Sequence, residues 1–437
     1  VIAVLAGGAG LVAAASAGTL DGVALLDPAL AAVVEGLAVL VLAGSWISRR
    51  RRWLSRDLAG IVGGGAVLTG VIAAALRLTG TITDPYPAVF ALWVGLALAA
   101  LIGAPVVLAA PGMTRRGLRR CAAGAAVPLT LSGALLLINN EYGVWPTLGD
   151  LLGHTRVIDA SALHLPPGAL RPDHGVLVAL DPPATKSHFN HRPGTVYLPP
   201  AYFTAARTKL PVIVMLAGAP GGTVQWPTSG RAIATADAYA AGHQGRAPIM
   251  LFVDQNGSAT GDTECVDGPQ GDAETFLTVD VPAFVTKVLH VPHFEGHWAV
   301  AGFSAGGTCA IGLALRHPGT YHHFVDLAGD ETPNLGDANQ SRLSLFGGSA
   351  AAQADHDPVR LLRLHQYKGM TAWFAAGVDD HRRIATSRRL AAQALKAGLK
   401  VHEFTTAGAH NWQFASAAFA KVLPSLSAEL GLHQQAP

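Results

Sequence analysis

The sequence predicts an N-terminal bundle of about five membrane-spanning helices, followed by an α/β domain with a mostly parallel central sheet. Three observations carry this. Long apolar runs fill the first third, strand-like and helix-like segments alternate after it, and charge is scarce throughout. Half of the 437 residues are hydrophobic and only 14% are charged, whereas about 25% is usual for a soluble domain. The net charge of +2 leaves no basic surface broad enough for nucleic acid. Because the chain opens on Val1 rather than Met, a start further upstream is expected.

The apolar runs cover residues 1–20, 29–48, 58–78, 88–110 and 121–138. Each approaches the length of about 20 residues that a helix needs to cross a hydrocarbon core. The stretches between them set an orientation. "RRRRWLSR" (49–56) and "RRGLRR" (115–120) are densely basic, while "DGVALLDP" (21–28) and "TGTITDPYP" (79–87) carry no Lys or Arg. Basic loops stay on the cytoplasmic side, so the chain beyond about residue 140 is expected outside the cell membrane. Three segments follow: transmembrane helices over 1–140, a linker over 141–173, and an α/β domain over 174–437.

Within the last segment, short β-branched runs at 175–181, 194–200, 211–218, 248–254, 297–303, 322–329, 370–377 and 400–408 read as strands. Between them, 274–289, 305–317, 385–398 and 412–430 read as helices. Such alternation implies a mostly parallel sheet covered on both faces.

"GFSAG" (302–306) lies between the strand at 297–303 and the helix at 305–317. That context makes Gly-x-Ser-x-Gly a nucleophile elbow, with Ser304 projecting above the sheet. A serine nucleophile needs a histidine base and an acid to orient it, here expected in the order Ser, Asp, His. "GVDD" (377–380) and "AGAHN" (407–411) end the last two strands. They offer Asp380 as the acid, with Asp379 as the alternative, and His410 as the base. Two backbone N–H groups should receive the developing oxyanion: that of Ala305, after the nucleophile, and that of Ala219 in "LAGAPGG" (216–222), since Pro220 has none to give.

"GTVYLPPAYF", "LPVIVMLAGAPGG", "GFSAGGTCAIGLALRHP" and "AGAHNWQFA" together resemble the esterase family of α/β-hydrolases, which includes S-formylglutathione hydrolases, enterochelin esterases and antigen 85 mycolyltransferases. The resemblance covers about residues 175–430. It implies an α/β-hydrolase fold, Ser304 as nucleophile, His410 as base and Asp380 as acid. One departure is visible: Ala217 stands where many members carry His before the glycine.

Other notable residues have plainer roles. His290, His293 and His297 recur at metal-like spacings, but without a helix to align them they read as a loop. "DTECVDGPQGDAE" (262–274) lacks the residue order of a calcium loop and reads as solvated. Cys121 falls in a membrane run, whereas Cys265 and Cys309 both fall outside, where disulfides persist, and are expected to be bonded.

The sequence therefore points to a membrane-anchored, extracytoplasmic serine esterase. It would act on a lipid or cell-envelope ester beside the bilayer and need no cofactor or metal. An acyltransferase shares the acyl-enzyme and differs only in the acceptor. A receptor or scaffold with a retired hydrolase domain is the reading from another class. No feature sets an oligomeric state.

Overall fold

In the computed structural model the described residues are 20–46, 51–78, 88–109, 116–154, 157–164, 168, 172–204, 210–291 and 296–432. They form two compact units, divided between residues 154 and 155.

The first unit contains four long helices among its described residues: α1 (Pro28–Trp46), α2 (Arg51–Leu78), α3 (Ala88–Ala109) and α4 (Arg116–Tyr142). Each holds a window of 18 or more residues apolar enough to cross a membrane. The expected count was five. The first run, 1–20, lies outside the described residues except for Leu20, which opens a single 3-10 turn. Leu40, Val67, Val71, Leu92 and Leu131 are exposed on the helices, an apolar surface of the kind that meets lipid or another protein. Where α2 meets α3 the contact is backbone-close. A Cβ at Gly65 would fall 2.7 Å from Gly95 O and 3.1 Å from Ala99 Cβ, the small-residue packing that membrane helices use.

The stretch read as a linker is partly built into structure. Tyr142 still belongs to α4, and Leu148–Leu151 is a short helix whose capping box is made by Thr147 and Asp150. Backbone bonds from Leu25 N–H to Pro146 O and from Leu148 N–H to Val23 O tie this part to the first unit. Ile158 bridges to Val178 in the second.

Besides a two-stranded ribbon, Asp267–Gly268 with Gly271–Asp272, the second unit contains one eight-stranded sheet. Its strands are β1 (Val176–Leu180), β2 (Gly194–Leu198), β3 (Val212–Leu216), β4 (Ile249–Phe252), β5 (Trp298–Phe303), β6 (His323–Leu327), β7 (Thr371–Gly377) and β8 (Lys400–Thr406). Their spatial order is β1-β2-β4-β3-β5-β6-β7-β8. β2 runs antiparallel to both neighbours, and every pair from β4 to β8 is parallel. All eight expected strands are present. β3 to β7 are buried at every position, which is why they read as continuous apolar runs rather than alternating ones.

Helices α5 (Ala232–Ala241), α6 (Val281–Leu289), α7 (Ala305–Arg316), α8 (Ala338–Phe346), α9 (Ala350–Asp355), α10 (Pro358–Leu364), α11 (His381–Lys396) and α12 (Trp412–Glu429) connect or cover the strands. The expected helix at 385–398 starts four residues earlier, because Asp380 caps it. Since β3, β5, β7 and β8 run the same way, the loops leaving them gather at one edge of the sheet. All the residues singled out from the sequence as catalytic lie on those loops.

Candidate active site

Ser304 occupies a backbone conformation that its sequence neighbours force. β5 ends at Phe303 and α7 begins at Ala305, so the chain turns on one residue, with φ 59° and ψ −124°. A positive φ at a residue with a side chain costs energy and persists only where the surroundings impose it. The flanking glycines explain how. A Cβ at Gly302 would lie 1.9 Å from Gly306 O, and one at Gly306 would lie 2.3 Å from Leu216 O. Strand, helix and the loop after β3 meet there without room for a methyl group. Ser304 N–H donates to Leu327 O of β6 at 2.9 Å, and Ser304 O accepts from Gly307 N–H at 2.8 Å.

The loops after β7 and β8 bring an acid and an imidazole to this hydroxyl. His410 Nε2 lies 2.8 Å from Ser304 Oγ, and His410 Nδ1 lies 3.0 Å from Asp380 Oδ2. The other carboxylate oxygen of Asp380 accepts Arg383 N–H at 3.1 Å. Burial alone would push the Asp380 carboxyl up, but the bonds from His410 and Arg383 outweigh it and hold the group below its ordinary value. Asp380 therefore stays ionised and orients the ring. The competing Asp379 is exposed, with its N–H bound to Gly408 O. Phe303 packs beside the imidazole with ring centroids 5.0 Å apart. Asn411, the next residue, caps α12 by accepting Phe414 N–H, which fixes where the chain leaves His410.

Ala219 and Ala305 are both partly exposed. Neither N–H has an acceptor among the described residues. Gly218 lets the loop after β3 come close, since a Cβ there would sit 3.3 Å from Ser304 Cβ and 3.8 Å from its Oγ. That loop is held from behind. Trp226 Nε1–H donates to Leu216 O at 2.8 Å, and Arg192 Nη2–H donates to Gly221 O at 2.8 Å. Arg192 also grips the buried Asp254 through its backbone N–H, Nε and Nη2. Sequence reading missed Arg192, Asp254 and Trp226, whose partners lie up to 62 residues away along the chain.

The segment 262–274 differs from the solvated loop expected of it. Its exposed carboxylates are Asp267 and Asp272, but Glu264 and Glu274 are buried. Glu274 is held below its ordinary value because hydrogen bonds from His317, His356 and Arg316 overcome its burial. Glu264 is pushed well up by burial and by the nearby Asp262 and Asp330. Burial likewise pushes Asp326 up to about 7. Arg383 and the more exposed Arg382 both ion-pair with Asp330. Cys265 is disulfide-bonded to Cys309, with Cα atoms 5.3 Å apart, and this ties the loop after β4 to helix α7, which begins directly after Ser304. Of the three histidines at metal-like spacings, His290 and His297 are described and His293 lies outside the described residues.

Comparison with known proteins agrees with this architecture. An uncharacterised protein of Corynebacterium glutamicum is 30% identical over 428 residues, covering 94% of this chain and 98% of the relative. Among solved structures, a ferulic acid esterase superposes with a TM-score of 0.50 at 19% identity, over 59% of this chain and 98% of its own. An S-formylglutathione hydrolase of Agrobacterium tumefaciens gives 0.48 at 18%, over 60% and 97%. The sequence model described as Putative esterase matches residues 187–426, more than half the chain. The chain belongs to that esterase family of α/β-hydrolases.

Proposed function

We propose that the chain is a membrane-anchored serine esterase whose catalytic domain stands on the extracytoplasmic side and hydrolyses a carboxylic ester of a lipid or cell-envelope component. One observation carries the chemistry: the hydrogen-bonded series Ser304 Oγ, His410, Asp380 at 2.8 and 3.0 Å, on the loops of a fold shared with ester hydrolases.

His410 Nε2 takes the Ser304 proton as Oγ attacks the ester carbonyl, and Asp380 steadies the imidazolium through Nδ1–H. The carbonyl oxygen becomes an oxyanion that the N–H groups of Ala305 and Ala219 receive. Two such donors, fixed before the reaction begins, lower the barrier by several kcal/mol. As the tetrahedral species collapses, His410 passes its proton to the leaving alkoxide and an acyl-Ser304 ester remains. Water, deprotonated by His410, then attacks the acyl carbonyl and releases the acid.

The membrane part of the proposal rests on length, apolarity and loop charge. Four helices are long enough to span, and the basic stretches 49–56 and 115–120 run from the α1–α2 and α3–α4 connections into the first turns of α2 and α4. With both on the cytoplasmic side, the chain leaves α4 on the opposite face. An enzyme held there meets esters at the bilayer surface first.

In the detergent-solubilised full chain, Ser304→Ala should abolish hydrolysis of a short-chain aryl ester while leaving the yield of folded protein unchanged. Retained hydrolysis would reject the assignment. Lipid extracts of cells carrying Ser304→Ala in place of the wild type should accumulate an ester, and unchanged lipid and envelope esters would count against the substrate class.

A further inference from the structure

The oxyanion donor at Ala219 belongs to a loop whose own sequence, Ala-Gly-Ala-Pro-Gly-Gly, has no side chain able to fix a peptide plane. Its orientation has to come from elsewhere. Directly after β4, Gln255 and Asn256 are both buried, at 1% and 4% exposure. Gln255 Nε2 donates to Ala217 O at 2.5 Å and Asn256 Nδ2 to Gly218 O at 3.5 Å. These are adjacent carbonyls, and Gly218 C=O shares its peptide unit with the Ala219 N–H. In a planar trans peptide the two groups point in opposite directions. A donor that holds the carbonyl on one side therefore turns the N–H to the other.

On the reading of Ser304 as nucleophile given above, we propose that Gln255 and Asn256 are positioning residues that set the Ala217 and Gly218 peptide planes and so aim Ala219 N–H at the oxyanion. Neither side chain touches the reacting atoms; both act through the loop backbone.

The clamp is itself held rigid, as a positioning device requires. Asn256 N–H donates to Asp254 Oδ1 at 3.0 Å, and that carboxylate is gripped by Arg192. Gln255 O accepts Thr263 Oγ1–H at 2.6 Å. Thr263 Oγ1 also accepts Cys265 N–H, and Cys265 is bonded to Cys309 on α7. The segment 254–265 thus joins the two backbones that carry the oxyanion donors: the loop of Ala219 and the helix that Ala305 begins. Arg192, on Gly221 O, holds the far end of the same loop.

The test uses near-isosteric variants that replace the side-chain amide with an apolar group, Gln255→Met and Asn256→Leu, with Asn256→Ser as a smaller second change. Each is made in the solubilised full chain and checked for an unchanged unfolding temperature. Hydrolysis of an aryl ester is measured beside inhibition by a trifluoromethyl ketone. That inhibitor's carbonyl carbon bonds Ser304 Oγ, its oxygen becomes the oxyanion, and the hydroxyl proton passes to His410. Positioning predicts that kcat falls about ten- to a hundredfold, that KM stays within twofold, and that the ketone Ki rises by the same factor as kcat falls. Unchanged kcat and Ki in folded variants would overturn the proposal. A raised KM at unchanged kcat would also overturn it, because the side chains would then bind substrate uniformly. If the ketone fails to inhibit the wild type, the Ser304 reading falls and takes this proposal with it. Wild-type inhibition with indifferent variants sinks the clamp alone.

Discussion

Adding one methyl group at Gly306 tests how tightly the elbow and the oxyanion loop depend on each other. A Cβ at this position would lie 2.3 Å from Leu216 O, 2.5 Å from Ala217 O and 2.7 Å from Leu216 C. Comfortable carbon contacts lie near 3.5 Å, so the loop carrying Ala219 must retreat by roughly 1 Å. The atoms in the way are backbone, which no rotamer change can move aside. Overpacking of this kind costs about 1–3 kcal/mol of stability, and a 1 Å misplacement of catalytic groups costs about 10²-fold in rate. Gly306→Ala should therefore fold, with an unfolding temperature a few degrees lower, and hydrolyse an aryl ester about a hundredfold more slowly, a barrier increase of about 2.7 kcal/mol. Gly312→Ala is the control. It lies on the same helix with nothing within 4 Å of its added Cβ, and should keep full activity with a gain of about 0.5–1 kcal/mol in stability. Near-wild-type turnover in Gly306→Ala would refute the claim that close backbone packing sets the geometry of the site.

Three further outcomes follow from particular contacts. Asp380→Asn should lower kcat by about 10⁴-fold, as removal of an orienting carboxylate does in other triads, while Asp379→Asn, at the exposed neighbour, should leave kcat within twofold; the reverse ranking would reassign the acid. The disulfide closes 44 residues of chain, for which loop entropy gives about 4 kcal/mol, so Cys265→Ser should lower the unfolding temperature markedly under oxidising conditions and lose most of that difference in reductant. Asp326, pushed up to about 7 by burial, holds a proton in the folded state that the unfolded chain releases above its ordinary value of 3.8. Folding stability should thus fall as pH rises from about 4 to about 7, and Asp262, also pushed up to about 7 by burial, acts in the same sense. Asp326→Asn should flatten this slope in thermal unfolding between pH 4 and pH 7, and an unaltered slope would count against the buried proton.

The chain's own residues made much of this architecture readable. Strands β3 to β7 are buried on both faces, and their unbroken apolar runs stand out from the polar loops around them. The elbow was readable because Gly302 and Gly306 are each required by a backbone approach at fixed spacing. Asp380 and His410 stood out because each lies within four residues of a strand end. What escaped notice has other causes. Helices α8 and α9 are short and bury few residues, with none buried in α9, so no apolar period marks them. Arg192, Gln255 and Asn256 are ordinary polar residues in the sequence, and they gain meaning only from carbonyls 29 to 38 residues away. The acidic stretch 262–274 misled because composition does not reveal that Glu274 meets Arg316, His317 and His356 across the fold.

Ser304 as the nucleophile is tested most directly by treating the solubilised full chain with a fluorophosphonate, digesting it, and locating the adduct by peptide mass. One modified residue is expected, Ser304, in the peptide that spans 298–316, with no modification of the Ser304→Ala protein. Folded wild-type protein that stays unlabelled, or that carries the adduct elsewhere, would contradict it.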